Sequence, residues 1–247
     1  MAWRGHFQTR EKAPTDLVTD ADLAAQGAIR EVVAKRFPTH TFVGEEQPTG
    51  DRSFRSDELV WIVDPLDGTT NYVHDFPCFA VSVALARAGK PLVGVIFDPL
   101  AEECFVAVDG KGAWCNGAPM QISAVTSLDK ALVAVSLPPQ VQRDSPDLLD
   151  FIEVVQVCQG VRRTGSAALN LAYVARGQLD ALWANFINPW DVAAGVLLVR
   201  EAGGMVTGRD GGEFDLWNPP FVAASGPALH DALMRMLTPF GRQPQQS

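Results

Sequence analysis

Two aspartates three residues apart, Asp64 and Asp67, run straight into Gly68, Thr69 and Thr70 in the stretch WIVDPLDGTTNYVHDFP at 61–77. Carboxylates crowded this way repel each other, so either one takes up a proton or a hard, oxygen-preferring cation such as Mg²⁺ sits between them. Gly68, Thr69 and Thr70 read as the opening of a segment whose free N–H groups and hydroxyls face the same point, and such openings attract phosphate oxygens. A capped turn on the surface would explain a bare D-x-x-D-G-T equally well, because short motifs also occur by chance.

The elements around this stretch decide between the two. Residues 59–63, LVWIV, form a short apolar, β-branched and aromatic run, as in a strand buried on both faces. Pro65 cannot donate a ladder hydrogen bond, so the strand is expected to stop at Asp64 and Pro65, with both aspartates at its carboxyl end. Ligands collect there in open α/β sheets. Residues 41–43 form a second short strand ending at Gly44, Glu45 and Glu46. In the segment DLVTDAD at 16–22, Thr19 or Asp20 caps a helix reaching about Phe37, and Asp16, Asp20 and Asp22 read as acids that suit the helix dipole. A functional role for Asp16 is the sharper alternative. Pro189, Trp190 and Asp191 open a helix to about Ala202, which Gly203 and Gly204 terminate. Acids therefore fall at element boundaries in four places. Caps and solvated turns explain each singly, whereas a composite metal site requires them together.

Apolar runs at 79–85, 91–97 and 104–108, separated by turn residues, suggest an antiparallel meander. Further strands are expected at 131–137, 161–163, 179–183 and 221–224, and helices at 147–158, 167–176 and 227–237. Residues 1–15 mark no element, 48–57 read as a polar loop and 239–247 as a frayed tail.

The 247 residues, 47% hydrophobic and 20% charged, fit one domain of two intimate halves, about 1–130 and 131–247. No apolar run is long enough to span a bilayer and the N-terminus shows no secretory signal, so a cytoplasmic protein is expected. A net charge of −9 argues against nucleic acid, and an anionic substrate would need metal ions held by the acids. The four cysteines lack metal-ligand spacing and read as reduced, structural thiols. No Ser-His-Asp or Cys-His set stands out, and surface or loop roles are expected for His6, His40, His74 and His230.

Three segments, G-E-E at 44–46, W-I-V-D-P-L-D-G-T-T-N at 61–71 and P-W-D-V-A-A-G at 189–195, resemble in order and separation the signatures of the inositol monophosphatase family. The resemblance covers roughly residues 12–237. It implies an α/β fold of layered αβαβα type, hydrolysis of phosphomonoesters with two or three Mg²⁺ ions, and a homodimer. By motif, Glu45, Asp64, the backbone carbonyl of Leu66, Asp67 and Asp191 would hold the metals. Thr69, paired with Asp16, would position or deprotonate the attacking water, with Glu45 assisting. Gly68 and Thr69 would bind phosphate, and Gly165, Ser166 and Ala167 would face the alcohol of the substrate.

The chemistry agrees, since unaided phosphomonoester hydrolysis is extremely slow and metal-activated water needs no side-chain nucleophile. Two departures stand out. Ala184 occupies a position where the family usually has a glutamate that binds ring hydroxyls, and with eleven residues before Lys12 the family's first helix is expected to be short or missing. A small phosphorylated metabolite, inositol-1-phosphate-like or a sugar phosphate, is the expected substrate. Histidinol phosphate and 3′-phosphonucleotides are alternatives, and a mainly protein-binding role is the alternative of another class.

Overall fold

In the computed structural model, which describes residues 9–13, 16–46, 57–138 and 140–238, two β-sheets enclose a pair of helices. β1 (Thr9–Ala13) and β2 (Asp16–Thr19) pair antiparallel and lead into α1 (Asp20–Arg36). β3 (Thr41–Gly44), β4 (Leu59–Asp67), the short α2 (Thr69–Val73), β5 (Ala80–Arg87), β6 (Lys90–Asp98), β7 (Glu103–Val108), β8 (Gly112–Cys115) and β9 (Ala118–Pro119) follow. β3 to β9 make a seven-stranded sheet in sequence order. β3 is parallel to β4 and each later pair is antiparallel, including the expected meander.

The second half supplies β10 (Leu132–Ser136), α3 (Pro146–Val155), β11 (Gly160–Arg162), α4 (Ala167–Ala175), β12 (Ala181–Ala184), α5 (Pro189–Glu201), β13 (Met205–Gly208), β14 (Phe221–Ala224) and α6 (Pro227–Met236). Its five-stranded sheet has the order β11-β10-β12-β14-β13, parallel from β11 to β12 and antiparallel beyond.

α4 and α5 pack on each other and on strands of both sheets, α1 lies against β3 and β4, and α3 and α6 cover the second sheet. The layers are therefore helix, sheet, helix pair, sheet, helix pair, the layered fold expected. A helix between two sheets must be apolar all round. α5 is, with every residue from Val192 to Val199 buried. β4 shows the alternation that serves both faces: Val60 and Ile62 join the central core, while the Trp61 ring lies 5.4 Å from that of Phe37 at the end of α1.

Several features depart from the sequence reading, among them the strands β2 and β8, which were not expected. β4 continues past Pro65 to Asp67, because the register against β5 shifts between Asp64 (opposite Ser82) and Asp67 (opposite Ala80), so that three steps on β4 match two on β5. This bulge absorbs the proline and turns the acid-bearing end. β1, TREKA, carries no apolar run to mark it. β13 was not anticipated either, nor was the burial of His230, which sits in α6 with Nε2 2.8 Å from the Thr207 hydroxyl. Most of the 48–57 loop, the 239–247 tail, His6 and residues 1–8 lie outside the described residues.

Close helix packing depends on glycine at one point in particular. A Cβ on Gly195 of α5 would stand 2.4 Å from the Leu171 Cβ of α4, an atom that cannot swing away. Gly195→Ala is expected to lower stability by about 1–3 kcal/mol, as overpacking does. Urea unfolding of the variant and the native chain checks this, with unchanged midpoints as the contrary result.

Candidate active site

The bulge of β4 and the first turn of α5 bring three carboxylates together. Asp64, Asp67 and Asp191 each offer an oxygen within 4.8 Å of the others. Asp64 and Asp67 are buried and Asp191 is partly so. Each also has a backbone donor. The Leu66 N–H donates to Asp64 at 2.9 Å and the Asn188 N–H to Asp191 at 2.9 Å. Asp67 receives the Ala168 N–H at 2.8 Å, the Ala167 N–H at 3.3 Å and the Ser166 hydroxyl, so the start of α4 is aimed at its charge.

Those donors do not offset the crowding. Burial first, then the charges of Glu45, Asp67 and Asp191, raises the Asp64 carboxyl well above the usual carboxylate range. Burial, followed by Asp67, pushes Asp191 up to about 8. Asp67, better supplied with donors, is raised by burial to about 6. An all-oxygen, acidic donor set that burial makes costly to ionise fits Mg²⁺, whose charge removes that cost. Glu45 follows β3, its N–H donating to the Val63 carbonyl at 3.1 Å, and lines a recess with Asn188 and Asp191 beside the cluster.

Thr69 opens α2, and its hydroxyl lies 3.1 Å from both Asp22 Oδ1 and the Leu66 carbonyl. The expected pairing of Thr69 with Asp16 is therefore corrected to Asp22. Asp16 belongs to β2, six residues earlier, and its side chain is outside the described residues. Asp22 is fully buried, and its other oxygen accepts the Thr19 N–H at 2.8 Å in the capping box of α1. The T-x-x-D spacing at 19–22 was the signal for it, and the helix dipole alone had seemed to explain that acid.

Gly68 has φ +93, and a Cβ there would lie 2.8 Å from the Cys78 carbonyl, so this turn demands glycine. Gly68, Thr69, Gly165, Ala167, Asp67 and Asp191 all line one cavity of about 330 Å³. Ser166 does not. Its hydroxyl was expected against the substrate but is buried, donating to Asp67 and accepting the Leu169 N–H. Asn71 was missed by the sequence reading: its Nδ2 donates to the Cys78 and Thr164 carbonyls at 2.6 and 2.8 Å, tying α2 to the turn before α4. Cys78 offers no nucleophile, since burial raises its thiol to about 11.

Two mixed sheets around a helix pair, with Asp67 and Asp191 of the cluster lining a cavity, and the match of almost the whole chain to a phosphatase family identify a phosphoric monoester hydrolase. The chain belongs to the inositol monophosphatase family, whose model matches residues 2–239. It is 41% identical over 240 residues to inositol monophosphatase 3 of Solanum lycopersicum, covering 94% of this chain and 89% of that one. It is 39% identical over 230 residues to the Nus factor SuhB of Escherichia coli K12, covering 93% and 85%. The solved inositol monophosphatase of Anabaena superposes with a TM-score of 0.81 at 40% identity, over 89% and 88% of the two chains. An IMPase/NADP phosphatase complexed with Mg²⁺ and phosphate superposes with a TM-score of 0.85 at 26% identity, over 98% and 90%.

The raised carboxyls have a consequence for stability. Asp64, Asp67 and Asp191 hold protons in the folded chain at pH values where the unfolded chain has released them. Their contribution to stability is thus complete below about pH 4 and is lost as pH rises toward about 8. Without divalent cations, Tm is expected to fall from pH 5 to pH 8, and Mg²⁺ is expected to raise Tm most at pH 8. Calorimetric scans with and without a chelator check this; a Mg²⁺ effect that is absent, or larger at pH 5, contradicts it.

Proposed function

We propose that the protein hydrolyses a small phosphorylated metabolite, an inositol phosphate or sugar phosphate, with Mg²⁺ held by Glu45, Asp64, the Leu66 carbonyl, Asp67 and Asp191. The observation that carries this reading is the Thr69–Asp22 pair set beside the three clustered carboxylates. Bound Mg²⁺ would neutralise the phosphoryl oxygens, acidify a water and stabilise the leaving alkoxide. The chain's own residues do the rest. The Thr69 hydroxyl accepts a hydrogen bond from the attacking water while its own hydrogen points to Asp22 Oδ1, 3.1 Å away, giving the water's proton a path to a buried carboxylate. Ser166 and the first N–H groups of α4 fix Asp67, and Asn188 fixes Asp191, so neither needs to reorient during turnover. Gly68 and Thr69 shape the phosphate end of the cavity. The relative complexed with Mg²⁺ and phosphate supports the choice of metal and of group.

Phosphate release from a panel of phosphomonoesters, with and without Mg²⁺, tests the reading. Release is expected to require Mg²⁺ and to vanish in Asp64→Asn. Asp22→Asn is expected to lower kcat by about 10²–10³-fold with little change in KM, the scale of a lost proton acceptor. A folded Asp22→Asn chain with native kcat would remove Asp22 from the mechanism.

A further inference from the structure

The cavity lining mixes apolar and polar side chains: Val135, Leu137 and Ile187 stand among Thr70, Asn71 and Ser136. Ala184, where the family resemblance places a hydroxyl-binding glutamate, is fully buried and offers no acceptor. The next residue does not replace it. Asn185 Oδ1 accepts from Arg209 Nε at 2.6 Å and its Nδ2 donates to Asp150 at 3.1 Å, inside a buried ion pair of Arg209 with Asp150. What the lining does contain is one cation, Arg163.

Arg163 is held at this place by its backbone. It follows the end of β11 and precedes Thr164, whose carbonyl accepts from Asn71 Nδ2, and Gly165, whose turn at φ +87 packs on the Asn71 side chain. The same turn touches the phosphate end, since a Cβ on Gly68 would lie 3.3 Å from the Gly165 carbonyl. The side chain is exposed and takes part in no hydrogen bond or ion pair among the described residues, unlike Arg209, Arg176 and Arg10. A guanidinium with no partner among the described residues, lining the cavity of the proposed phosphate site in a chain of net charge −9, is suited to recognise a second anion.

We infer that Arg163 reads an anionic group on the alcohol moiety, so that the preferred substrate is a phosphomonoester whose alcohol carries a further carboxylate or phosphate. This rests on the phosphatase reading of the same site and narrows its substrate class.

Matched pairs test it in the Mg²⁺-loaded protein: 2-phosphoglycerate against glycerol 2-phosphate for a carboxylate, and adenosine 3′,5′-bisphosphate against adenosine 3′-monophosphate for a phosphate. The member with the second anion is expected to have the higher kcat/KM, by about tenfold in at least one pair, through KM. Arg163→Ala is expected to collapse that ratio toward one, and Arg163→Lys to restore part of it. Equal kcat/KM within both native pairs overturns the inference, as does an Arg163→Ala variant that slows both members alike, which would put the guanidinium on the scissile phosphate. Calorimetric binding of the same pairs to Asp64→Asn separates the two readings. An Arg163-dependent preference in binding with no turnover by the native protein sinks the phosphatase reading and leaves the anion site standing. Turnover with no preference does the reverse.

Discussion

The burial of Asp64, Asp67 and Asp191 beside one another is the constraint on which the rest depends. Carboxylates within 4.8 Å of one another would separate in a flexible chain. Here they cannot, because Asp64 and Asp67 flank the bulge that ends β4 and Asp191 lies in the first turn of α5, elements whose other residues are largely buried. Asp191 begins α5, whose next residues are buried between the two sheets, and the Ser82 hydroxyl of β5 donates to the Trp190 carbonyl at 3.2 Å. Hydrophobic burial along α4 and α5 thus holds the three carboxyl groups together at a place where ionising them is costly.

The donors around the cluster are sorted by task. Asp67 receives three donors from the start of α4 and is raised only to about 6, while Asp191, with one backbone donor, is raised to about 8. Asp22 caps α1 with one oxygen and meets Thr69 with the other, so the alignment of the Thr69 hydroxyl is tied to the start of the first described helix. The αL turn at Gly68 and the turn at Gly165 meet through Asn71, which joins the start of α2 to the segment that carries Arg163.

Much of this was legible because it is local. Proline and glycine punctuation placed Asp64, Asp67 and Asp191 at a strand exit and a helix start, and apolar runs separated by turn residues exposed the meander. What escaped reading was set by tertiary contact. Pro65 looked like the end of β4, but the bulge that absorbs it is visible only against β5. Asp22 looked like a dipole acid until α2 delivered Thr69 to its free oxygen, and Ser166 looked like a substrate contact until its hydroxyl was seen to serve Asp67. His230 gave no sign of burial because its partner, Thr207, lies on a strand that no strong apolar pattern marks.

The most direct measurement is titration calorimetry of the native chain with Mg²⁺ at pH 6.5, repeated in buffers of different ionisation enthalpy. If three crowded carboxylates are kept partly protonated until a cation enters, saturable binding will release protons, seen as a heat that depends on the buffer. Binding with no buffer dependence, or no binding up to tens of millimolar Mg²⁺ in a folded protein, would contradict a site organised around these buried, crowded carboxylates.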